Sequence, residues 1–148
     1  MLAPSRSIDE SITAVREEDR PWAAMVHALG AIPVWGFVFN AIVWMYYRNR
    51  SREMIFQVQQ AIQYHFFVLL PVLTWVVCSL LAKIITGLSP ALGGFFQVLN
   101  NILLSICLTG TTGLALYGAC LVYIGRPFLY PLIGRRVLEG TIRKFSEE

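Results

Sequence analysis

The longest runs of this chain without charge set its architecture. Residues 22–47 and 95–124 contain no Asp, Glu, Lys or Arg, and residues 61–86 contain only Lys83. A soluble core does not exclude charge over such lengths, whereas about twenty apolar residues suffice to cross a bilayer. Over the 148 residues, 56% are hydrophobic and 14% charged, against about 25% charged in soluble domains. The mean hydropathy is +0.59. The sequence therefore predicts an all-α integral membrane protein with three transmembrane helices. A polar tail (1–20) precedes the three-span domain (21–134), and a basic amphipathic tail (135–148) follows it.

One long polar stretch interrupts the apolar runs. Arg48, Arg50 and Arg52 lead into Ile55, Val58 and Ile62, which fall at helical spacing. This predicts an amphipathic linker helix on the membrane surface that ramps into the second span. Leu138, Ile142 and Phe145, with Arg135, Arg136, Arg143 and Lys144 around them, predict a second interfacial helix. Pro33 and Pro71 lie within the first and second spans, where each is expected to kink its helix. The 87–94 stretch reads as a tight turn that makes spans two and three antiparallel neighbours.

Residues 1–20 carry five carboxylates and no signal-peptide core, so the first span is expected to act as its own insertion signal. Ser7 and Glu10 have the spacing of a capping box. With three spans, Arg6, Arg16, Arg20 and Lys83 fall on one side, four in all. The linker and C-terminal tail carry eight: Arg48, Arg50, Arg52, Arg126, Arg135, Arg136, Arg143 and Lys144. The excess of positive charge places those two in the cytoplasm and the N-terminus outside, in a bacterial inner membrane. On this count the arginine stretch is the topology anchor, and neutralising it should disturb orientation or assembly.

Span three offers two stripes at four-residue spacing: Ser105, Thr109 and Gly113, then Thr111, Ala115 and Ala119. Small residues let backbones approach closely in lipid. Packing against the protein's own helices is the simpler reading, and a seam for a partner subunit is the alternative. Gln97, Asn100 and Asn101 read as interhelical glue rather than a transport pathway, since no span contains a carboxylate.

The only candidate cofactor ligands are His27 and His65. On a three-span layout they lie toward opposite faces, roughly 24 Å apart in depth, and cannot share one haem iron. No cofactor is predicted. A pigment or haem role would fall to one histidine alone, and an interhelical hydrogen bond competes with it. Cys78, Cys107 and Cys120 have no metal-ligand spacing. No catalytic motif is present, so the chain is not expected to be an enzyme. No basic face is dense enough for nucleic acid.

Three short segments carry a resemblance. They are residues 20–30, with Trp22 and His27; residues 56–62, with Phe56, Gln60 and Ala61; and residues 130–134, with Tyr130, Pro131 and Gly134. In that order they resemble a family of small bacterial membrane proteins of unknown function. That family is similar to the twenty-kilodalton subunit of the chloroplast inner-envelope translocon. The chain departs from it at Gln57, where the family usually has His. The resemblance implies a three- or four-span helical fold with a place in a protein-conducting or assembly machine. The resulting expectation is a non-catalytic subunit that packs into a larger membrane complex. A component of a translocation pathway is the alternative, and a pigment- or haem-associated subunit the second. Expected partners are lipids and other integral membrane subunits or further copies of the chain.

Overall fold

A computed structural model describes residues 13–131 and 133–146. The capping-box pair Ser7 and Glu10 and motif residue Leu132 lie outside these, as do the side chains of Lys144 and Phe145. The described residues form helices joined by turns and one extended segment after residue 123, with no strand. A 3-10 turn, Glu17–Asp19, leads into α1 (Arg20–Ala28), and a second, Leu29–Ala31, separates it from α2 (Pro33–Tyr47). Then come α3 (Arg52–Leu88), α4 (Pro90–Tyr123) and α5 (Gly134–Ser146).

The predicted first span does not form. Pro33 has no N–H to donate and crowds the residue before it, which disfavours helical backbone there. Ile32 accordingly takes φ −119°, ψ 90°, and Pro33 starts α2 rather than kinking a longer helix. At about 1.5 Å per residue, α1 and α2 reach roughly 14 and 22 Å, short of a hydrocarbon core of about 30 Å. They fold back on each other instead. The Asn40 amide donates to the Val26 carbonyl at 3.2 Å, and the Tyr47 hydroxyl donates to Asp19 at 3.0 Å. The segment thus returns to the end where it began. Gly36 permits this closure, because a Cβ there would collide with the Leu29 carbonyl and the His65 ring. Among the described residues two helices, α3 and α4, remain long and apolar enough to cross a membrane, rather than the three expected.

The linker is also different from the expectation. Ser51 caps α3 by accepting from the Met54 N–H at 3.2 Å, and the helix runs on without interruption through Pro71. Met54, Phe56, Gln57, Val58, Gln60 and Ala61 are buried, so this stretch is the inner face of α3 and not a separate helix on the lipid surface. At the far end a single extended residue, Ser89, joins α3 to α4. The turn is tighter than 87–94 because Pro90 opens α4 and Gly93 lets its backbone press on Thr86. Gly125, at φ 78°, ends α4: its N–H reaches Val122 and that of Arg126 reaches Leu121, closing the last turn.

The core sits at one end of the α3–α4 hairpin, its base. There α1 packs on the last turns of α4, α2 on the first turns of α3, and α5 on Phe56. The C-terminal helix is amphipathic as predicted, but Val137 and Leu138 spend their apolar face on Phe56 rather than on lipid. Toward the tip the hairpin is clothed in exposed Leu, Val, Ile and Phe.

Candidate functional site

The base holds a polar cluster that is closed off from solvent. It is assembled by three segments. On α3, Gln57, Gln60 and Tyr64 share one face at spacings of three and four. From α1 comes His27, and from the extended segment after α4 come Phe128 and Tyr130. His27, Gln57 and Gln60 are completely buried. His27 Nε2 lies 2.8 Å from Gln57 Oε1, and Nδ1 lies 3.1 Å from the Tyr130 hydroxyl. The amide of Gln57 donates to the Thr13 carbonyl at 3.2 Å, which fixes its Oε1 toward the imidazole. The network therefore assigns His27 the Nε2–H tautomer, with Nδ1 accepting from Tyr130. Gln60 donates to the Phe128 carbonyl at 3.3 Å and accepts from the Tyr130 N–H at 3.1 Å.

Aromatic rings seal the cluster. Tyr64 stacks on Tyr130 with centroids 4.1 Å apart, and Phe128 stands edge-on to both His27 and Tyr130. Burial pulls the His27 pKa down to about 4, against the opposing hydrogen bond from Gln57. Burial also raises the Tyr130 hydroxyl well above its ordinary value, with Tyr64 adding to the effect. Both groups stay neutral at physiological pH. Among the described residues, Asn40, whose amide donates to the Val26 carbonyl next to His27, has its Oδ1 buried without a partner.

The structure brings much of the scattered motif together. His27, Gln60 and Tyr130 are bonded into the cluster. Gly134 closes over it, since a Cβ there would stand 2.8 Å from Gln60 Oε1. Phe56 and Ala61 are fully buried beside it. Trp22 is half exposed and lines a groove on the outside, and Pro131 is exposed. Gln57, read only as a departure from the family pattern, is the hub that accepts from His27. Tyr64 was not singled out as a site residue. The signal available for both was three polar residues on one face of an otherwise apolar helix.

The histidines are not on opposite faces of a membrane. His65 Nε2 lies 3.4 Å from the Leu29 carbonyl, two residues after His27, because α1 and α2 fold back beside α3. His65 Nδ1 lies 2.6 Å from the Ala61 carbonyl. Every ring nitrogen of the two histidines faces a protein group. Among the described residues no group of three or more His, Cys, Asp or Glu could hold a metal ion.

The two stripes of α4 have different surroundings. Ala115 and Ala119 are buried; Ala115 meets Gly30, and the Tyr64 hydroxyl donates to the Thr111 carbonyl at 2.6 Å. Ser105, Thr109 and Gly113 face outward. Asn100 donates to the Trp75 carbonyl and to Ser79, both at 3.0 Å, and Asn101 accepts from the Trp75 indole at 2.8 Å. These amides join α4 to α3. Arg48, Arg50 and Arg52 are exposed at the base, and the Arg50 guanidinium lies 4.0 Å over the Tyr46 ring.

The fold and the site define an all-helical, membrane-associated hairpin protein organised on a buried, fully hydrogen-bonded histidine. The chain belongs to the MamF/MmsF family, the magnetosome magnetite crystal formation protein family, whose model matches residues 18–137. The match agrees with the expectation of a small bacterial family and does not bear on the chloroplast translocon likeness. No curated protein and no solved structure matches the chain.

Proposed function

We propose that this chain is a non-catalytic integral subunit of the magnetosome membrane that supports magnetite crystal formation by packing with other membrane subunits or with further copies of itself. The observation that carries this reading is the division of the molecule. A closed, polar-stapled base holds one end of a hairpin whose distal half leaves most of its large apolar side chains exposed. Bilayer and neighbouring helices are the surroundings that such a surface fits.

Two spans put both ends of the chain on the side of the base. Ten of the eleven described Lys and Arg residues lie there: Arg16, Arg20, Arg48, Arg50, Arg52, Arg126, Arg135, Arg136, Arg143 and Lys144. Lys83 alone lies toward the tip. The charge asymmetry supports a cytoplasmic base and a tip that faces the opposite compartment. The N-terminus then joins the C-terminus inside, in place of the outward position that a three-span count gives. The 83–97 stretch at the tip carries no carboxylate, so a role in crystal growth runs through partner subunits rather than through acidic binding of iron by this tip.

A translocation role would need a polar pathway, but Asn100 and Asn101 are engaged between α3 and α4, which favours the packing role. The test is deletion of the gene in a magnetite-forming host, with crystal size read by electron microscopy, together with purification of the tagged chain in mild detergent. Altered crystals and a chain that elutes in a larger assembly are expected. Normal crystals, or a stable monomer without companions, would overturn the reading.

A further inference from the structure

A groove runs along the outside of the α1–α2 pair, unrelated to the buried histidine cluster. It encloses about 430 Å³ and is lined by Trp22, Phe39, Ile42, Val43, Tyr46 and Tyr47. Val43 and Tyr47 form its buried floor, while Trp22, Ile42 and Tyr46 stand half exposed along its walls. Its character changes along its length. Phe39, Ile42 and Val43 make an aliphatic and aromatic trough, Tyr46 and Tyr47 follow at the base, and Arg50 stands over Tyr46.

Arg50 is held in a particular way. Its guanidinium carbon lies over the Tyr46 ring, 4.0 Å from the centroid, a cation–π contact that holds the charge at this end of the groove. The contact places a guanidinium, whose fork of N–H donors can bind a phosphate, beside the Tyr46 wall of the groove. Glu53, three residues on, accepts from the Ser51 hydroxyl at 2.7 Å. Asp19 accepts from Tyr47 and lies 3.3 Å from Arg16, which also pairs with Glu18 at 3.2 Å.

We infer that this groove is a binding site for one anionic phospholipid, with an acyl chain along Phe39, Ile42 and Val43 and the phosphate at Arg50. The order apolar, aromatic, cationic matches the order acyl chain, ester, phosphate in such a lipid. The Arg50 cation at one end favours a headgroup of net negative charge over a zwitterionic one, whose ammonium it would repel. The site rests on the membrane reading above, and its test separates the two.

Phospholipids brominated on the acyl chain quench tryptophan on contact. The full-length chain, retaining Trp22 alone (W35F, W44F, W75F), is reconstituted in phosphatidylcholine vesicles. Brominated phosphatidylglycerol should half-quench Trp22 at a mole fraction roughly fivefold lower than brominated phosphatidylcholine does. Arg50→Gln should bring the two lipids level, and Ile42→Phe, which fills the trough at an exposed position, should weaken quenching by both. A chain retaining Trp75 alone reports insertion of the hairpin. Equal quenching of Trp22 by both lipids in the parent chain, or a preference that survives Arg50→Gln, overturns the site while Trp75 remains quenched. A Trp75 that no brominated lipid reaches overturns the membrane reading, and the lipid site with it.

Discussion

His27 keeps its place as a neutral imidazole. Its pKa of about 4 in the folded chain compares with 6.5 in an exposed reference, so the unfolded chain takes up the proton first as pH falls. The sign follows: the stability contributed by neutral His27 is complete above about pH 6.5 and is lost progressively as pH falls toward 4. The difference corresponds to about 3 kcal/mol. Thermal unfolding in detergent should show a midpoint that drops across this window. In His27→Gln, whose amide can still donate to Gln57, that part of the drop should disappear; an unchanged pH profile would show that His27 is not the buried neutral group described. His27 itself was legible in the sequence as a candidate, as was its role in an interhelical hydrogen bond. Its partners were not. Gln57 and Tyr130 are 30 and 103 residues away, and no local pattern reports a pairing of that range.

At the scale of elements, two residues decide the part of the fold that periodicity misread. Hydropathy cannot distinguish one long span from two arms folded together, because both bury or expose the same apolar side chains. The distinction lies in Pro33, which sets Ile32 outside the helical region, and in Gly36, which leaves room for Leu29 and His65. Gly36→Ala should therefore destabilise the protein by about 1–3 kcal/mol, since the added methyl has no space and its neighbours are a backbone carbonyl and a buried ring. Denaturation in detergent measures this. A cost near zero would mean that the arms are not closed at that point. The α3–α4 hairpin and α5 were legible because length, apolar content and a Gly-Pro-rich turn sufficed to place them. The buried inner face of α3 was not, since residues 55–62 have the amphipathic spacing of a surface helix whether they meet lipid or α5.

For the whole molecule, the folded-back α1–α2 pair changes what the arginines mean. A three-span count gives four positive residues against eight, and makes Arg48, Arg50 and Arg52 decisive. With two spans, the described residues give ten against one. Replacing all three with Gln leaves seven against Lys83, so orientation should survive where the sequence alone implied that it would fail. Protease protection of the triple variant in vesicles checks this, and inverted orientation would restore the arginine stretch to its role as sole anchor. The distribution of charge was readable from the sequence throughout; the parity of the spans, on which its meaning depends, was not.

A two-span hairpin sets both ends of the described chain, Thr13 and Ser146, at one base. Compartment-sensitive reporters fused separately to the N-terminus and the C-terminus test it most directly. Both are expected to report the cytoplasm. Reporters that place the two ends in opposite compartments would contradict it and require a third crossing by residues 20–47.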